Sequence, residues 1–155
     1  MISLPKNKNN AVAAYVAGEI ANNNSICRQF ARILGGETVA STANSCAVVR
    51  PRPELSPLIL GRPYETAAMF EYQSPDIDGN TLNTGEVPVL QREVNPFIDL
   101  LREGDILVSA VHTRWLSDRP RLIYVHIESV GDPLGFAEAV AAAFTALTGR
   151  PADDE

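Results

Sequence analysis

Two short, nearly continuous apolar segments, Ile106–His112 and Arg121–Glu128, constrain the fold of this chain more than any other feature. Runs of this length, bounded by polar and turn residues, are typical of strands that lie inside a sheet with at least one covered face. The short segment Thr113–Pro120 separates them. A chain with such strands also needs helices that cover the apolar face of the sheet.

Three segments carry apolar residues at helical spacing and predict helices. They are Ile26–Leu34, Arg92–Glu103, and a last helix from Pro133 to about Leu147. Asp132, directly before Pro133, is a typical N-cap residue. The helices therefore alternate with the apolar strands along the second half of the chain.

Further strands are predicted in the first half. One or two strands fall between Thr38 and Arg50, and others at Ala67–Tyr72 and Glu86–Leu90, whereas four prolines make Arg50–Pro63 an extended loop. Helices that cover one face of such a sheet give an α+β fold. We expect a two-layer sandwich with a mostly antiparallel sheet, helices on one face, and a C-terminal β-α-β-β-α unit.

Length and charge limit the classes of protein that this chain can belong to. Its 155 residues fit one domain, which we place at 25–149, between an N-terminal arm at 1–24 and an acidic tail at 150–155. A net charge of −6 argues against binding duplex nucleic acid, because phosphate contacts need clustered Lys and Arg. No apolar run is long enough to span a bilayer, and we expect a cytoplasmic protein.

The two cysteines, Cys27 and Cys46, form no Cys-x-x-Cys motif and are too few for a disulfide scaffold or a four-thiolate zinc site. We expect both to be small buried side chains. The chain also lacks a Gly-x-Ser-x-Gly motif and a phosphate-binding Gly-rich loop. Common hydrolase and nucleotide-binding motifs are therefore missing.

Four short motifs follow one another in the second half of the chain. They are Glu93-Val94-Asn95-Pro96 at the start of a helix, a strand that ends in His112, Pro120-Arg121-Leu122 before a strand that contains His126, and Gly131-Asp132-Pro133 before the last helix. In this order they resemble the LppY/LpqO family, bacterial domains of unknown function. The resemblance implies an α+β fold that often occurs as two copies in one chain. This chain has one copy, so the resemblance implies a homodimer.

The sequence departs from that family pattern at one place. Members typically carry His-Asn-His where this chain has His112-Thr113-Arg114. If the histidines of the family bind a metal, a guanidinium replaces one ligand here, and it has no lone pair to donate.

The two histidines are nevertheless candidates for a metal site. Strict alternation puts His112 on the same face of its strand as Val108 and Ala110, and the register that would decide whether His126 shares this face is open. Glu93 could complete a two-His, one-carboxylate set for a divalent metal such as zinc. The alternative is that Glu93 caps a helix and that the histidines are structural.

Several arginines cluster with a tryptophan around one predicted loop. Arg114, Trp115, Arg119 and Arg121 lie close together in sequence, and Arg62 follows Gly61 in the earlier loop. Guanidinium groups bind carboxylate or phosphate through two parallel hydrogen bonds, and an exposed Trp would offer a stacking surface. The alternative is a solvated loop whose arginines pair with nearby carboxylates.

These residues support three hypotheses about function. We favour a module that binds a small anionic ligand in a pocket beside the ends of the two apolar strands, with Glu93 nearby. Its expected ligand-binding residues are His112, Arg114, Trp115, His126 and Arg62. The second hypothesis is a metal-dependent hydrolase that uses His112, His126 and Glu93. The third is a structural dimer whose apolar N-terminal arm packs on its partner.

Overall fold

Residues 25–147, which the computed structural model describes, fold into three α-helices and nine strands. The helices are α1 (25–34), α2 (Val94–Glu103) and α3 (Pro133–Ala143), and single 3₁₀ turns occur at Pro53–Leu55, Gln91–Glu93 and Phe144–Ala146. The side chain of Asp132 accepts hydrogen bonds from the first-turn amides of α3, which confirms its predicted role as N-cap. The expected N-terminal arm and acidic tail lie outside the described residues.

Six strands form one antiparallel sheet in the order β1-β2-β5-β6-β9-β7. Their bounds are β1 Glu37–Ser41, β2 Cys46–Pro51, β5 Ala67–Gln73, β6 Thr81–Leu90, β7 Leu107–His112 and β9 Leu122–Gly131. The segment predicted as an extended loop adds β3 (Leu58–Ile59) and β4 (Arg62–Pro63), and β3 pairs with both β4 and β8 (Asp118–Arg119) in a small second sheet. The predicted α+β class with antiparallel pairing is confirmed.

The two faces of the large sheet have different surroundings. Side chains of β9 alternate between them: Val125 and Ile127 belong to the main core, whereas Tyr124 packs in a separate apolar cluster with Leu90 and Leu122. All three helices contribute buried side chains to the main core, namely Phe30 and Leu34, Phe97 and Leu101, and Phe136 and Val140. The helices therefore cover one face and leave the other, the open face, to the loops and the small sheet.

A disulfide bond joins Cys27 of α1 to Cys46 of β2. Both residues are buried, as expected, but the expectation that they are unbonded side chains was wrong. Their 19-residue separation gave no motif, and only the packing of α1 against β2 brings their Cα atoms to 5.5 Å. Between residues 25 and 147, no helix is long and apolar enough to cross a bilayer.

Candidate functional site

A β-bulge decides which way His112 faces. The register of β7 against β9 shifts between Val108 and Ala110, so the simple alternation expected from the sequence does not hold. Val108 packs against the main core, whereas Ala110 is the cross-strand partner of His126. The bulge thereby places His112 on the open face, together with His126.

The two imidazoles form a hydrogen-bonded pair. His112 Nε2 lies 2.8 Å from His126 Nε2, and His112 Nδ1 lies 3.1 Å from the carbonyl oxygen of Thr113. Because a carbonyl oxygen only accepts, His112 Nδ1 carries a hydrogen. In the neutral pair, His126 Nε2–H therefore donates to His112 Nε2, and His126 Nδ1 presents a lone pair.

Arg114 lies beside the pair on an aromatic platform. Its Cζ is 4.7 Å from the ring centroid of Trp115 and 5.7 Å from that of Tyr124. Trp115 Nε1 donates to Tyr124 Oη at 2.9 Å, and the ring of Tyr64 meets Trp115 edge-on with centroids 5.0 Å apart. The predicted stacking surface of Trp115 thus supports Arg114. Within the described part of the chain, the Arg114 guanidinium has no hydrogen-bond or ion-pair partner.

Two hollows on the open face lie next to these residues. One, of about 160 Å³, is lined by Arg114, Tyr124, Tyr64 and Glu86, and the other, of about 240 Å³, by His126 and Glu86. They share the lining residues Met69 and Glu86, and we refer to the two hollows together as the groove. A larger hollow of about 530 Å³ adjoins the first at Tyr64, and four prolines contribute to its lining. Its one buried charged side chain is that of Arg52, which is already ion-paired with Glu93.

Glu93 does not reach this groove. It is 1% exposed, and its two oxygens each lie 3.3 Å from a terminal nitrogen of Arg52. One of these oxygens also accepts the backbone N–H of Leu90 at 2.8 Å. Glu93 is therefore a buried cap, the role that the structural alternative gave it, and it is also ion-paired with Arg52, which the sequence did not predict.

The structure consequently does not assemble the predicted metal set of His112, His126 and Glu93. From residue 25 to residue 147, no group of three His, Cys, Asp or Glu side chains is arranged to hold a metal ion. The imidazoles meet, but the third ligand of the hydrolase hypothesis is missing from the site.

The other predicted arginines have separate places. Arg121 Nη1 lies 3.1 Å from Asp118 Oδ1 and donates to the carbonyl oxygen of Trp115 at 3.1 Å, so it holds the loop that presents Arg114. Arg62 is exposed on β4 and lines neither hollow of the groove. Of the predicted ligand-binding residues, Arg114 and His126 line the groove, whereas His112, Trp115 and Arg62 do not. His112 and Trp115 contact the lining residues His126 and Arg114.

Sequence reasoning missed Glu86, which contributes to both hollows. Glu86 of β6 is the cross-strand partner of His126 on β9 and of Met69 on β5. Alternation within the predicted strand Glu86–Leu90 separates Glu86 from the core residues Val87 and Val89, and this was the available signal. Pairing with His126 could not be inferred without the register.

Comparison with known proteins gives a family for this chain. Neither the curated proteins nor the solved structures contain a match to it. One family model, described as Domain of Unknown Function (DUF1259), matches residues 28–146, which include every residue of the groove. The chain therefore belongs to the DUF1259 family of domains of unknown function.

Proposed function

We propose that residues 25–147 form a module that binds a small organic or inorganic anion in the groove of the open face. The observation that carries this proposal is the guanidinium of Arg114, which lies against two aromatic rings and has no polar partner among the described residues. A binding role is supported because guanidinium groups form strong, bidentate hydrogen bonds to carboxylate and phosphate.

Arg114 is exposed, and its contacts with aromatic rings distinguish it from a freely moving surface charge. The Trp115–Tyr124 hydrogen bond and the edge contact of Tyr64 fix the rings on which the guanidinium rests. A side chain held in this way loses less rotamer freedom when a ligand binds. His126, which is hydrogen-bonded to His112, adds a further polar side chain to the lining of the groove.

Isothermal titration calorimetry with cyclohexanecarboxylate and with inorganic phosphate tests the proposal. A charge-assisted hydrogen bond contributes about 1.5–3 kcal/mol, so we expect Arg114→Gln to weaken binding at least about tenfold. Arg28→Gln is the matched control, because Arg28 is exposed on α1, on the other side of the sheet. Absence of binding for both anions, or equal affinity in Arg114→Gln and wild type, would overturn the proposal.

We also propose that the protein folds in an oxidising compartment and not, as the sequence suggested, in the cytoplasm. The bond between Cys27 and Cys46 supports this, because disulfides persist in such compartments and are rare where thiols are kept reduced. Alkylation of protein isolated without reductant provides the test. Modification of both cysteines would refute the assignment.

The resemblance described above supports two narrower proposals, that the chain belongs to the LppY/LpqO group and that it forms a homodimer. Sedimentation equilibrium tests the second, and a monomer at micromolar concentration would contradict it. A monomer would also exclude the purely structural dimer.

A further inference from the structure

We propose that the anion recognised by this groove also carries hydroxyl groups that donate to Glu86, so that the ligand class is a hydroxylated carboxylic acid such as a uronic acid. This inference rests on the proposed anion-binding function. It adds Glu86 as a second recognition group and requires a hydroxyl group on the ligand.

Glu86 stands in the centre of the groove. It is half-buried on β6, next to His126 on one neighbouring strand and Met69 on the other. It lines the hollow that contains His126 as well as the hollow that contains Arg114 and Tyr124. Glu86 is therefore a wall residue that the two hollows share.

Within residues 25–147, Glu86 has neither a hydrogen-bond nor an ion-pair partner. Arg114 lines the same hollow, yet the two side chains are not within ion-pair distance of each other, so each keeps its own hydrogen-bonding capacity. An ionised carboxylate that loses water on ligand binding must gain donors in return. The groove therefore offers a cationic donor at one end and an anionic acceptor at its centre.

These two groups together restrict the ligand. A simple anion bound to Arg114 would desolvate Glu86 without giving it a donor, and the two negative charges would repel each other. A ligand with a carboxylate for Arg114 and a neighbouring hydroxyl for Glu86 satisfies both groups. Sites built around such a polar group reject analogues that lack the hydroxyl.

The walls and the size of the first hollow favour a sugar-like ring. Tyr64 and Tyr124 line it, and its volume is about 160 Å³. Ligand sites commonly combine apolar or aromatic walls with a few polar groups that fix orientation. A six-membered ring with hydroxyl groups on its rim matches this combination.

Three probes with a six-membered ring test separately whether binding requires the carboxylate and the hydroxyl groups of the ligand. D-glucuronate has the carboxylate and the hydroxyls, cyclohexanecarboxylate has the carboxylate only, and D-glucose has the hydroxyls only. Calorimetry on the full chain should show glucuronate binding at least about tenfold more tightly than cyclohexanecarboxylate, and glucose more weakly than either.

Variants then assign the preference to Glu86. In Glu86→Leu, glucuronate should bind more weakly and cyclohexanecarboxylate more tightly, so that the two affinities differ by less than about threefold. Glu86→Gln keeps the shape of the side chain and one acceptor, so the ratio of the two affinities should be intermediate. This variant also tests the role of Glu86 if Glu86→Leu does not fold. Glu128→Leu is the matched control, because Glu128 is exposed on the strand of His126 and lines neither hollow.

The outcomes distinguish this inference from the function on which it rests. If no carboxylate binds, or if glucose binds as well as glucuronate, anion recognition itself fails. If glucuronate and cyclohexanecarboxylate bind equally well in wild type, or if Glu86→Leu leaves their ratio unchanged, only the role of Glu86 is refuted.

Discussion

The buried ion pair between Arg52 and Glu93 leads to the most specific stability prediction. Arg52 binds two carboxylates, Glu93 at 1% exposure and Glu54 with a side chain 41% exposed. Glu93→Gln keeps the shape of the side chain but removes its charge, and the NH2 of its amide replaces an oxygen that accepted from Arg52 or Leu90. Breaking a buried pair by neutralising one partner costs about 3–5 kcal/mol.

The remaining contacts of Arg52 place the expected loss at the lower end of this range. Arg52 keeps the carbonyl oxygen of Pro88 at 2.7 Å and Glu54 at 3.1 Å, so its charge is not left wholly uncompensated. We therefore expect Glu93→Gln to lower the free energy of unfolding by about 3 kcal/mol, a large fraction of the ~5–15 kcal/mol typical of a domain.

Urea unfolding followed by circular dichroism measures this loss, with Glu54→Gln as the matched control. The control removes an exposed partner of the same arginine and should cost less than about 1 kcal/mol. Cyclohexanecarboxylate affinity should be unchanged in Glu93→Gln, because Glu93 lies outside the groove. A loss below about 1 kcal/mol in Glu93→Gln, or equal losses in both variants, would refute the structural role assigned to Glu93.

Three further predictions follow from the same structure. The 19-residue separation of Cys27 and Cys46 gives a loop-entropy stabilisation of about 3 kcal/mol, so the double serine variant should unfold at lower urea, and a loss below about 1 kcal/mol would contradict this. Burial raises the pKa of Tyr72 above its ordinary value of 10.0, so the native state favours the neutral phenol; stability is present below pH 10 and falls as pH rises through the raised value. Tyr72→Phe should lose less stability in that alkaline range, and parallel curves for variant and wild type would argue against it. His112→Asn removes the hydrogen-bond partner of His126 Nε2 and should shift the ring-nitrogen signals of His126 in nitrogen-detected NMR; unchanged signals would contradict the paired geometry.

Much of the fold could be predicted because its signals are local. The apolar runs that became β7 and β9, the helical stripe of α2, and the Asp132 cap each depend on neighbours in sequence. The same holds for Glu93, whose capping role was foreseen from its position before a helix.

The site was predicted only in part because its geometry depends on register. The sequence left open whether His112 and His126 share a face, and alternation alone turned His112 toward the face of Val108. A single bulge residue reverses that direction, and neither composition nor periodicity reveals it. Glu86 was overlooked for the same reason, since its partner on β9 lies 40 residues away in the sequence.

The disulfide also lay beyond the reach of sequence patterns. Two cysteines 19 residues apart on a helix and a strand carry no spacing signature. Their bond depends on how α1 packs on β2, which is a tertiary property.

Nitrogen-detected NMR during a cyclohexanecarboxylate titration is the most direct test of anion recognition by the groove. We expect the signals of His126 Nδ1 and of the Arg114 guanidinium to shift together and to saturate with one dissociation constant, while the guanidinium signal of Arg28 stays in place. If the two groove signals did not move, or moved no more than that of Arg28, anion recognition by this groove would be contradicted.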